Sequence, residues 1–61
     1  MAWLTVDRSG IEKLHLQKPL LGEDSLIKGI WLSEDYVELR EFSIYTLLRR
    51  HLHYNDEPVE I

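Results

Sequence analysis

Apolar and polar residues alternate in three stretches of the chain, and in a fourth they recur with helical spacing. In the first stretch, Ala2 to Asp7, Leu4 and Val6 fall on one face and Trp3 and Thr5 on the other, the period of a half-buried strand. Asp7-Arg8-Ser9-Gly10 reads as a turn. Gly10 suits the left-handed position of a three-residue hairpin loop, which places Asp7 opposite Ile11 and Leu4 opposite Leu14. Both leucines then share a face, as they must, because a one-residue slip would turn every apolar side chain to the wrong side.

Lys18-Pro19 ends the returning strand, since proline donates nothing to a ladder. Leu20 to Ser25 is expected as a loop that delivers Leu20 and Leu21 as a plug over the core. A second hairpin is expected around Glu34-Asp35, pairing Leu32 with Val37, Ile30 with Leu39 and Lys28 with Glu41. Its turn lacks glycine, and a four-residue loop of the same parity serves equally well. Ser43 is placed to cap a helix whose apolar stripe is Ile44, Leu47, Leu48 and Leu52, with Phe42 and Leu47 forming a hydrophobic staple. Asn55-Asp56 is a turn signal, and Glu57 to Ile61 alternates again as a short edge strand in which Pro58 is tolerated.

These elements predict a single small α+β domain over residues 1–61. Two β-hairpins form a small antiparallel sheet, one C-terminal helix packs on one face, and a short final edge strand completes it. Turning Leu4, Leu14, Ile30, Leu32, Val37 and Leu39 toward the helix sends Trp3, His15, Trp31 and Tyr36 to the opposite face. Trp and Tyr dominate interface hot spots, so these four are the candidate interaction residues. The 18–25 loop or the C-terminal tail covers them in one reading, and another chain covers them in the other.

A 61-residue chain with no cysteine has no disulfide or thiolate metal site to staple it, so its stability rests on packing, with self-association as a natural supplement. Hydrophobic content of 44% and six aromatic residues are those of a folding chain, not a disordered acidic tail. No apolar run approaches the ~20 residues of a membrane span, and Asp7, Arg8 and Glu12 interrupt any secretory-signal pattern. A soluble, cytoplasmic protein is expected. The formal net charge of −4 argues against indiscriminate binding to nucleic acid or anionic lipid, although a local basic patch remains compatible with it.

Candidate chemistry is sparse. His51 and His53 are two apart, so on a helix they point in opposed directions and share no metal ion. Arg49 and Arg50, with Lys28 and Arg40 as neighbours, make the one candidate basic surface for nucleic acid; cations at a helix C-terminus also simply complement its dipole. Glu34, Asp35, Asp56 and Glu57 sit in separate turns without the glycine and ligand spacing of a calcium loop. No phosphate-binding glycine loop, serine elbow or nucleophile–base pair is present, and no cofactor, metal or small-molecule substrate is expected.

Trp3-Leu4-Thr5-Val6-Asp7, Gly10, Asp35-Tyr36-Val37-Glu38-Leu39, Ser43-Ile44 and Asp56-Glu57-Pro58-Val59-Glu60-Ile61 together resemble a family of short uncharacterised proteins of Bacteroidetes and phage-like elements. The resemblance implies an accessory or mobile-element protein that acts by contact, and it carries no activity. Arg40-Glu41-Phe42 stands where it expects a Pro-Lys-Gly type of turn. The functional expectation is a non-enzymatic interaction module that self-associates as a homodimer through its aromatic sheet face. The alternative is a nucleic-acid-associated regulator using the basic residues, and an enzyme ranks third.

Overall fold

The computed structural model describes residues 1–61. The first hairpin forms in the expected register: β1 (Trp3–Val6) pairs antiparallel with β2 (Glu12–His15), Leu4 lying opposite Leu14. Gly10 closes the loop with φ of 95°, and the Asp7 amide donates to the Ile11 carbonyl at 2.8 Å. Only glycine adopts that backbone without strain, which is why the local sequence fixes this turn.

The second hairpin does not form. Leu20 and Leu21 are not a plug but a strand, β3 (Leu20–Leu21), paired antiparallel with β4 (Trp31–Leu32) in a separate two-stranded ribbon. Gly29 closes that ribbon with φ of 81°, and a Cβ there would lie 2.6 Å from the Arg8 side chain. Strand β5 (Tyr36–Leu39) pairs instead with β2, Leu14 opposite Val37 and His15 opposite Tyr36. The final strand β6 (Val59–Glu60) adds to β1 as an edge, as expected, giving a sheet order β5-β2-β1-β6. The chain is thus a small α+β fold of two antiparallel sheets and one short helix.

Residues directly opposite in antiparallel strands share a face. One face of the sheet therefore carries Trp3, Thr5, Lys13, His15, Tyr36 and Glu38, and the other carries Leu4, Val6, Glu12, Leu14, Val37 and Leu39. The β3–β4 ribbon covers the first face, and the helix α1 (Ser43–Leu48) docks on the second. Few large apolar side chains are deeply buried: Leu4 and Ile44 are 0% and 2% exposed, and Trp31 is 8% exposed. Of the expected inward set, Leu32 and Val37 are exposed.

The helix differs from expectation at both ends. Ser43 is its first residue and donates its hydroxyl to the Arg40 carbonyl, so it does not cap. The capping acceptor is the Glu12 carboxylate on β2, which takes the Phe42 and Ile44 amides at 2.7 Å each. A carboxylate is the stronger acceptor and displaces the local hydroxyl. Phe42 adopts a left-handed φ of 69°, a backbone that glycine takes more readily than a side-chain-bearing residue. At the other end Arg49 turns left-handed with φ of 61°, its amide donating to the Tyr45 carbonyl, and the helix stops at Leu48. The chain then reverses, so that His51 stacks 4.7 Å from Tyr45 and Leu52 lies outside the helix. Phe42 and Leu47 are both more than half exposed.

Candidate functional site

Strand alternation places Asp7, Thr5, Lys13 and His15 together on the face under the β3–β4 ribbon, and all four are buried. Such burial is tolerated only when each polar group finds a partner. Every one does. Lys13 Nζ lies 2.8 Å from Asp7 Oδ2, and the same two side chains grip the backbone of Trp31: its amide donates to Asp7 Oδ1 at 2.9 Å and its carbonyl accepts from Lys13 Nζ at 3.1 Å.

The ladder explains this grip. The Gly22 amide bonds the Ile30 carbonyl, so in the register of Leu20 opposite Leu32 the N–H and C=O of Trp31 point away from β3. The ion pair fills the place of a neighbouring strand and ties the ribbon to the sheet. Removing either partner leaves a buried charge unpaired, a loss of roughly 3–5 kcal/mol.

His15, with no exposed surface, sits between Thr5 Oγ1 at 2.8 Å from Nε2 and Ser33 Oγ at 2.6 Å from Nδ1. Ser33 Oγ also donates to the Asp35 carbonyl at 3.3 Å, which assigns the proton to Nδ1 and leaves Nε2 to accept from Thr5. One direction of donation then runs through all three side chains. Burial, reinforced by the nearby Lys13 ammonium and opposed by Asp7, holds the His15 pKa below its ordinary 6.5. This donation chain uses the neutral tautomer, which the lowered pKa favours, and the cluster acts as an internal clamp.

The four candidate interaction residues separate into two groups. Trp3, His15 and Tyr36 lie opposite one another across β1, β2 and β5, as strand parity requires. Trp31 comes from the covering ribbon, its indole N–H donating to the Tyr54 carbonyl at 2.9 Å. His15 and Trp31 are thus covered within the chain, Trp3 is half-buried, and Tyr36 alone is substantially open at 45%. The Tyr36 ring lies over Lys13 Nζ at 4.7 Å and beside His15.

The basic residues do not build a helix face. Arg49 and Arg50 follow the helix, Arg40 precedes it, and Lys28 lies in the ribbon turn; all four are exposed, and none makes an ion pair. His51 and His53 are exposed beyond the helix, His53 bonded to Asn55, and no three metal-ligating side chains converge.

The remaining feature is the β5 edge. The Leu16 amide donates to the Asp35 carbonyl at 2.9 Å, which fixes the ladder phase: Asp35, Val37 and Leu39 bond inward to β2, while the N–H and C=O groups of Tyr36 and Glu38 point outward. No side chain bonds them. The opposite edge, β6, is short and preceded by Pro58, which has no N–H to offer. Beside β5, Leu14, Leu16, Tyr36 and Val37 line a shallow groove of about 350 Å³. The sequence signal for this edge was the alternation of Tyr36 to Leu39, masked by the expectation that it pairs locally. No family model matches the chain, and no curated protein or solved structure is significantly similar to it.

Proposed function

We propose that this chain is a non-enzymatic protein-interaction module of the cytoplasm, and that it engages an extended protein segment at the β5 edge. The observation that carries this reading is the outward row of unbonded backbone groups at Tyr36 and Glu38, flanked by exposed Val37 and Leu16. Proteins usually blunt such edges, and strand addition is a recurrent way of binding through them. No helix of the chain is long and apolar enough to cross a membrane. The aromatic contribution to contact reduces to Tyr36 and the visible part of Trp3, since the other two candidates lie inside the fold.

Glu38→Pro tests the reading. It deletes one outward N–H at an edge position where proline is tolerated, so the thermal melt should persist while association with any protein, measured by sedimentation and by capture from host extract beside the wild type, is lost. Association unchanged in the variant overturns the edge as the contact surface. A second reading, contact with nucleic acid, draws support from the exposure of Arg49, Arg50, Arg40 and Lys28 without ion-pair partners. It predicts affinity for DNA or RNA that collapses with added salt and with Arg49→Ala/Arg50→Ala.

A further inference from the structure

We infer that the occupant of the β5 edge is a second copy of this chain, joined antiparallel about a two-fold axis that passes through Val37. This rests on the edge being the contact surface and adds the identity and register of the partner. A strand that pairs with itself about a two-fold perpendicular to the sheet must place residues of equal parity opposite one another, so the axis passes through a residue. Only Val37 and Glu38 are central in β5.

The ladder phase decides between them. With the axis at Val37, Tyr36 of one copy faces Glu38 of the other, and these are the two residues whose N–H and C=O groups point outward. Each such pair exchanges both backbone bonds, and symmetry repeats the exchange. With the axis at Glu38, two carboxylates stand directly opposed, which destabilises the pairing. Tyr36 would then face Arg40, whose carbonyl already accepts from the Ser43 amide and hydroxyl. The Val37 register leaves neither conflict.

Side chains agree with this register. Val37, 55% exposed, meets its own copy on the helix-side face, where the grooves lined by Leu14, Leu16 and Val37 become neighbours. Asp35, which falls opposite Leu39 of the other copy, already accepts from the Gln17 amide group through its carboxylate at 3.0 Å and is turned to that partner. The edge is also clear. Phe42 and Ile44 bond Glu12, so the chain leaving β5 folds inward over β2 and away from the approaching strand.

Single cysteines read the register directly, because the chain has none of its own. Cα atoms of a non-hydrogen-bonded antiparallel pair are about 4.5 Å apart, within the roughly 4.4–6.8 Å span of a disulfide. Val37→Cys should therefore oxidise to a linked dimer far faster than Leu26→Cys, which sits at a fully open position and sets the collisional background. Glu38→Cys should stay at background, since its copies would be separated by about 8 Å. Sedimentation of the wild type across concentration should show a monomer–dimer equilibrium, and Val37→Lys should weaken it on the order of 100-fold by opposing two charges at the axis.

Linking by Glu38→Cys and not Val37→Cys overturns this register in favour of the other. A wild type that stays monomeric, with both cysteine variants at background, overturns self-pairing; the module reading then stands only if Glu38→Pro still abolishes capture of a different protein. Melts of Val37→Lys and Val37→Cys that match the wild-type monomer show that lost pairing, not lost folding, is being read.

Discussion

His15 illustrates how far a single residue can be read from its neighbours in sequence. Parity placed it beside Trp3 and Tyr36, which the register bears out, but nothing local announced that Thr5 and Ser33 would hold both ring nitrogens. Asp7 has the local signature of a turn residue, and nothing adjacent in sequence marks Lys13 as buried. The available signal was the company they keep: a strand face carrying Thr5, Asp7, Lys13 and His15 beside two aromatics is polar and yet too rich in rings to stay wet. The clamp makes a pH prediction. Because the folded pKa of His15 lies below 6.5, the unfolded chain binds its proton first as pH falls. Stability is complete above 6.5, declines as pH drops toward the lowered folded value, and is then flat with respect to this group. Protonation would also leave the Thr5 hydroxyl without an acceptor. Urea melts through this window should show the decline in the wild type, and His15→Gln should remove it. An unchanged slope in the variant would assign the decline to other groups.

At the scale of elements, the β1–β2 hairpin was legible because Gly10 and the alternation around it are local facts. The β4–β5 hairpin was not, although its alternation is as clear. A strand's pattern tells which side is buried and says nothing of which partner lies beside it. Here β2 offers β5 a four-residue partner, while the outer groups of β4 are taken by Asp7 and Lys13. The helix shows the same division. Its start near Ser43 and the burial of Ile44 follow from the sequence, whereas its cap comes from Glu12 across the sheet and its end at Arg49 lacks the glycine that usually marks such a stop. A six-residue helix is too short to persist alone, so it depends on that carboxylate. Glu12→Ala should lower stability by ~2 kcal/mol or more, the value of losing hydrogen bonds to a charged group. Amide exchange should quicken first at Thr46 and Arg49, ahead of the Asp7 amide in the hairpin. Equal acceleration everywhere would mean that the helix is not separately anchored by Glu12.

For the molecule as a whole, the sequence conveyed class, size and charge, while the surface that offers itself for contact depends on which strand ends up at the edge. Two copies meeting at β5 each bring a net charge of −4. The proposed contact is made of backbone groups and Val37, so charge enters chiefly as repulsion between the two bodies. Added salt shortens the screening length from ~30 Å at 0.01 M to about 8 Å at 0.15 M. Self-association should therefore tighten as salt rises, the reverse of a phosphate-binding surface, whose affinity falls with salt as counterions cease to be released at a gain. Sedimentation equilibrium at low and physiological ionic strength, with labelled DNA and RNA titrated under the same conditions, separates the two. A dimer fraction that grows with salt while nucleic-acid binding is absent supports the strand pairing. Association that weakens with salt would mean that opposite charges make the contact, and a Val37-centred interface would then be the wrong one.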